Sequence, residues 1–158
     1  MSKSEFLLEV SGLTKRFEPR GGLFARRKAV PITAVDGISF AIRRGETLAL
    51  VGESGCGKST TARLLMRLIE PSAGKVIFDG ISMRELDPER LRQVRRRIQL
   101  VFQDPGSAFN PRMTVETIIA EPMRLAGLPR AQRQARVREL LPLVGLDQDH
   151  AARYPHEF

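Results

Sequence analysis

An α/β fold is predicted by three features of this 158-residue chain. Ile38, Phe40 and Ile42 alternate with Ser39 and Ala41, the period-two signature of a half-buried strand. The apolar run Thr47–Val51 passes through a glycine-rich loop directly into a helical stripe, the order of a parallel-sheet unit. Near residue 110 the strand signals cease and helical periodicity takes over.

Phe6–Val10 is the expected partner of the strand at 38–42, which makes the opening of the chain antiparallel. Between them Pro19–Pro31, with Gly21, Gly22, Arg26, Arg27 and Lys28, reads as a long exposed loop. Thr47–Val51, bounded by Gly45 and Gly52, lacks alternation and is expected to be a strand buried on both faces. In the helix that follows, Ala62, Leu65, Met66 and Ile69 fall at i, i+3, i+4 and i+7. Leu64 and Leu68 widen that stripe, Arg63 and Arg67 lie outside it, and Pro71 stops it. Lys75–Phe78 is a further short strand, closed by an Asp79-Gly80 turn. Asp87 can cap the next helix, Pro88 suits its first position, and Glu89 favours the positive end of its dipole. Ile98–Phe102 reads as another buried strand, and Gln103–Arg112 as a loop punctuated by Pro105, Gly106 and Pro111. Val115, Ile118 and Ile119 open one helical stripe, while Val137, Leu140, Leu141 and Val144 make another. Pro122 and Pro142 should kink or end these helices.

Composition excludes several classes. With 42% hydrophobic and 28% charged residues the chain is globular rather than disordered. Its single cysteine, Cys56, cannot form an intrachain disulfide, and the cytosol is the expected compartment. No apolar run approaches the roughly 18 residues of a membrane span, and Lys3, Glu5 and Glu9 interrupt any leader-like block. The charge of +8, from 26 basic and 18 acidic residues, is concentrated in Arg84–Arg97 and Arg124–Arg138. Such runs mark solvated helix faces or a polyanion-binding surface. His150 and His156 lack the neighbours of a zinc site and are assigned no chemistry.

Gly52-Glu53-Ser54-Gly55-Cys56-Gly57-Lys58-Ser59 matches G-x-x-x-x-G-K-[ST], and it lies between an apolar run and an apolar helix. Gly52, Gly55 and Gly57 permit backbone conformations that a Cβ would forbid, so that amide N–H groups converge on phosphate oxygens. The starting helix adds unpaired N–H groups and its positive dipole end. Lys58 supplies a mobile cation for β- and γ-phosphates, and the Ser59 hydroxyl can ligate Mg²⁺. These residues point to Mg-ATP or a related nucleotide. Hydrolysis also needs an acid at a neighbouring strand end and a group that positions water. Asp104, one residue beyond Ile98–Gln103, is a candidate for that acid, although Gln103 and Pro105 place its register in doubt.

Several segments together resemble the ATP-binding subunits of ABC transporters, in the oligopeptide and dipeptide importer branch. They are Ala34-Val35-Asp36-Gly37-Ile38-Ser39-Phe40, the phosphate loop, Pro71-Ser72-Ala73-Gly74, Phe102-Gln103-Asp104-Pro105, Asn110-Pro111-Arg112-Met113-Thr114 and Tyr154-Pro155-His156-Glu157-Phe158. The resemblance implies that Gln103 contacts Mg²⁺ and the attacking water, which removes the metal role from Asp104. It also implies that Phe17 stacks on adenine and that Thr60 contacts the α-phosphate. The alternative for a phenylalanine at 17 is plain core.

Family members continue past the segment at 154–158 with a Ser-Gly-Gly-Gln signature, a catalytic glutamate and a switch histidine. The expectation is therefore an incomplete P-loop NTPase, RecA-like in its core, with an N-terminal antiparallel β portion. Residues 1–102 would form the nucleotide-binding α/β core, 103–112 the glutamine loop, and 113–158 the truncated start of a helical subdomain. The implied function is ATP-driven import of oligopeptides, dipeptides or similar solutes, with this chain alone binding but not hydrolysing ATP. Implied partners are transmembrane permease subunits, a second ATP-binding subunit in a homo- or heterodimer, and indirectly a solute-binding protein. The implied location is the inner face of the cell membrane, where the chain would be peripheral. Phe109, Pro111 and Met113 would help line a groove for a cytoplasmic helix of the permease, or else pack the loop on its own helices. Alternatives are a non-transport ABC ATPase acting on nucleic acid, a self-contained P-loop NTPase, and a non-catalytic nucleotide-binding module. Nucleic acid is not the expected partner. Cys56, beside Lys58 and a helix start, is either a reactive thiol or an inert filler.

Overall fold

The structure, a computed structural model, describes residues 5–18, 30–102 and 108–158, and the chain divides into two compact units, residues 1–100 and 101–158. The expected loop at Pro19–Pro31 falls mostly outside the described residues.

In the first unit, β1 (Phe6–Phe17) and β2 (Ile32–Arg43) pair antiparallel, with Leu8 opposite Ile42 and Val10 opposite Phe40. Both strands run farther than their alternation announces, because side chains repair the ladder where it slips. Gly12 N donates to Ser39 Oγ (2.8 Å) and Gly37 N to Thr14 Oγ1 (3.0 Å) at the irregular register between Val10 and Lys15. β3 (Ala73–Phe78) pairs antiparallel on the other edge of β1, and β4 (Ile81–Ser82) closes the sheet in the order β2-β1-β3-β4. Asp79 (φ 49°) and Gly80 (φ 75°) both adopt positive φ, the tight hairpin geometry that an Asp-Gly pair favours.

Helix α1 (Lys58–Leu65) and helix α2 (Pro88–Arg95) pack their apolar sides into one core with the sheet. Val10, Leu13, Val35, Val76 and Phe78 come from the strands, Leu64 from α1, Met83 from the 3₁₀ turn Met83–Glu85, and Leu91 and Val94 from α2. As expected, Asp87 caps α2, its carboxylate accepting from Arg90 N at 2.8 Å. The buried line of α1 is Thr61 and Leu64, one residue earlier than the stripe read from the sequence, while Leu65 and Ile69 pack at its edge. α1 also ends before Pro71, because Arg67 turns to φ 52°. Arg67 does not lie outside: its guanidinium donates to the carbonyls of Met83 (3.1 Å) and Leu86 (2.7 Å).

Two expected strands do not form. Thr47–Val51 and Ile98–Phe102 join no ladder among the described residues, and Leu48, Leu50, Val51, Val101 and Phe102 are exposed. A parallel strand exists only beside a neighbour delivered by a crossover. The crossover through α1 leads into β3, which pairs antiparallel with β1 instead, and after Phe102 the described chain is helical. The α/β class stands, with its described sheet wholly antiparallel.

In the second unit, α3 (Val115–Leu125) and α4 (Arg130–Leu143) pack around buried Val137 and Leu141. Thr114 caps α3, and Val115 N donates to Arg153 O (2.9 Å). Pro122 and Pro142 both sit in the last turn of their helices, so each helix closes within three residues of its proline.

Candidate functional site

The loop at 52–59 is shaped by close approach. Gly57 adopts φ 100°, and a Cβ there would lie 2.2 Å from the carbonyl oxygen of Ala34 in β2. Only glycine lets the loop rest on the strand in this way. Gly55 is likewise at positive φ (84°), and a Cβ on Gly52 would strike Cys56 Sγ at 2.6 Å. The first helical hydrogen bond of α1 runs from Thr61 N to Gly57 O at 2.8 Å. The amides of Lys58, Ser59 and Thr60 therefore have no intrahelical acceptor, and they stand at the positive end of the helix dipole.

Lys58 folds back over the loop. Its Nζ donates to the carbonyls of Gly52 (2.6 Å) and Glu53 (2.5 Å) and lies 3.4 Å from Cys56 Sγ. The ammonium thus occupies the mouth of the loop. Ser59 is exposed and Thr60 half-buried beside it. A hollow of about 340 Å³ adjoins the loop, lined by Thr33, Ala34, Val35, Asp36, Leu50 and Lys58 among others.

Phe17 ends β1 opposite Ile32, two residues from Ala34 on the neighbouring strand. At about 3.3 Å per residue that places its backbone position about 7 Å along β2 from the contact with Gly57. Phe17 is 42% exposed, with Lys15 Nζ 5.1 Å from the centroid of its ring. Gln103 and Asp104 lie outside the described residues.

Two contributors to this geometry were not singled out from the sequence. Thr61 is buried, its Oγ1 donating to Gly57 O at 3.0 Å, and Ala34 supplies the carbonyl against Gly57. The run Ser59-Thr60-Thr61 signals the former, since the third hydroxyl is on the face shared with Leu64. Nothing in the sequence signals a backbone contact at Ala34.

The donor set fits a polyphosphate: free first-turn amides, a lysine able to swing from carbonyls to anionic oxygens, and a left-handed glycine corner that no side chain fills. It also fits Mg²⁺ arriving with the nucleotide. That ion typically keeps waters and substrate oxygens and needs few protein ligands, and the exposed Ser59 hydroxyl is a suitable oxygen donor for it.

Known proteins resemble this chain in sequence and fold. The family described as ABC transporter matches residues 35–158. Over 159 residues the chain is 46% identical to the oligopeptide transport ATP-binding protein AppF of Bacillus subtilis (strain 168), covering 99% of this chain and 48% of that protein. It is 49% identical over 157 residues to the glutathione import ATP-binding protein GsiA of Salmonella paratyphi A, covering 99% of this chain and 25% of that protein. The chain thus spans about half or less of the length of these relatives. Among solved structures, the dimeric structure of MJ0796, a bacterial ABC transporter cassette, matches with a TM-score of 0.77 at 25% identity, over 96% of this chain and 62% of that one.

Proposed function

Since the chain belongs to the ABC transporter family, we propose that it is the nucleotide-binding part of an ATP-driven importer of oligopeptides, dipeptides or similar solutes. The observation that carries the reading is the cradle itself, where Gly57 is pressed against Ala34 O and Lys58 spans the loop mouth. In use, Lys58 exchanges its two carbonyl acceptors for β- and γ-phosphate oxygens, which hold more negative charge. The amides of Gly52, Glu53, Ser54, Gly55, Cys56 and Gly57 and of the first helical turn enclose the phosphates, with Thr60 toward the α-phosphate. Ser59 would hold Mg²⁺, which when bound neutralises charge between the phosphates. Phe17, exposed at the strand end, is offered to the adenine face. Gln103, within a glutamine loop at 103–112, would meet the metal and water.

By itself the chain binds ATP without turning it over, because hydrolysis in this reading awaits groups from a second ATP-binding subunit. No helix among the described residues is long and apolar enough to cross a membrane. Attachment to the inner face of the membrane would come through permease subunits, fed by a solute-binding protein. In the second unit Phe109, Pro111, Val115, Ile118, Ile119 and Phe158 line an apolar groove of about 620 Å³, the proposed seat of a permease helix; Met113 is not among its lining residues.

Arg90, Arg92, Arg97, Arg124 and Arg136 are paired with carboxylates, and Arg95 is bound to backbone carbonyls. The test is uptake. Disrupting the gene in its own organism should abolish energy-dependent accumulation of a labelled tripeptide and leave a sugar unaffected, whereas undiminished uptake of di-, tri- and longer peptides would overturn the cargo.

A further inference from the structure

The helix that follows the phosphate loop, Lys58–Leu65, is eight residues long. Helices that short do not persist in water without tertiary support. One such support comes from the last turn of α2. Arg95 donates from Nε to Met66 O (2.9 Å) and from Nη2 to Arg67 O. Carbonyls at a helix end lack intrahelical partners, and a cation is the favourable charge there. Arg67 sits at φ 52°, a conformation that a non-glycine residue keeps only when its surroundings impose it. Its own guanidinium completes the knot, donating to Met83 O and Leu86 O and, through Nε, to Glu70 (2.8 Å).

We infer that Arg95 is a positioning residue for the phosphate loop: by fixing the carboxyl end of α1 to α2, it holds the first-turn amides of Lys58, Ser59 and Thr60 in register for the phosphates. About 12 Å of helix separates the clamp from those amides, so Arg95 acts through α1 and never touches a nucleotide. The thrust is mechanical. A two-turn rod that loses this tie at its carboxyl end frays more readily from that end, and each frayed residue removes a fraction of the hydrogen bonds that orient the next. The inference rests on the nucleotide reading for its ligand, whereas the clamp belongs to the chain alone.

The experiment compares the parent chain with Arg95→Gln, Arg95→Lys and the control Arg92→Gln, whose guanidinium pairs with Glu89 in the exposed i,i+3 position. Amide hydrogen exchange is followed along α1 and along β1 and β3, and Mg-ATP affinity is measured for each protein. Arg95→Gln should speed exchange in α1 roughly tenfold while β1 and β3 hold, and should weaken Mg-ATP binding by a similar factor. Arg95→Lys, which keeps the charge but lacks the planar fork that reaches both carbonyls from two nitrogens, should fall between; Arg92→Gln should match the parent. Uniform acceleration across sheet and helix would reduce Arg95 to a general stabiliser and overturn the inference. So would α1 exchange within twofold of the parent. A parent that binds no nucleotide, with α1 still loosened selectively by Arg95→Gln, would uphold the clamp and overturn the nucleotide reading instead.

Discussion

The Cα of Gly57 is held so close to the carbonyl of Ala34 that a methyl group added there would lie 2.2 Å from the oxygen, with the backbone at φ 100°. Two penalties coincide, left-handed strain and a collision with main chain. Gly57→Ala should therefore lower stability by about 2 kcal/mol or more and displace the loop from β2. Gly45→Ala makes the comparison, because Gly45 has φ 76° but open space around its Cβ position; it should cost only about 1 kcal/mol. Denaturant midpoints for the two variants report the difference. Equal losses would mean that the approach to Ala34 is not what demands glycine.

Cys56 is exposed, with Sγ 3.4 Å from Lys58 Nζ. Phosphates seated in the cradle would cover it. With Mg-ATP about ten times above its Kd, the rate of maleimide labelling should fall roughly tenfold. Labelling at an unchanged rate, under conditions where nucleotide is bound, would place the phosphates somewhere else.

Asp79 lies between Arg97 and Arg44 at the β3–β4 turn. The hydrogen bond from Arg97, helped by Arg44 and opposed by partial desolvation, holds its carboxyl below the usual carboxylate range. A group depressed in the folded state contributes stability above its unfolded pKa of about 3.9 and loses that contribution as the pH falls through the folded value. Asp79→Asn keeps a residue tolerant of positive φ while removing the charge. The gap in denaturation midpoint between parent and Asp79→Asn should be constant above about pH 5 and shrink below about pH 4. A gap that does not change with pH would sever the link to this carboxylate.

Local chemistry was the legible part of this chain. The Asp-Gly turn at 79–80, the Asp87 cap and the pairing of Phe6–Val10 with 38–42 are decided by neighbours in sequence, and they form as read. Thr47–Val51 and Ile98–Phe102 were misread because an apolar run announces burial without naming what will pair with it. The helical stripe of α1 was displaced by one residue since Thr61 is a polar residue buried by its bond to Gly57 O, which hydrophobicity does not reveal. The inward course of Arg67 and Arg95 was hidden for a related reason. Their partners are backbone carbonyls, which carry no signature in the sequence.

The cradle's claim on nucleotide is tested most directly by calorimetric titration of Mg-ATP into the chain and into Lys58→Ala. Lys58 Nζ now rests on the carbonyls of Gly52 and Glu53, and triphosphate oxygens are the stronger acceptors. The parent should bind one nucleotide per chain, and Lys58→Ala should bind it more weakly by about 1.5–3 kcal/mol, roughly 10- to 150-fold in Kd. Superimposable curves for the two proteins, or no heat of binding from a folded parent, would contradict the account.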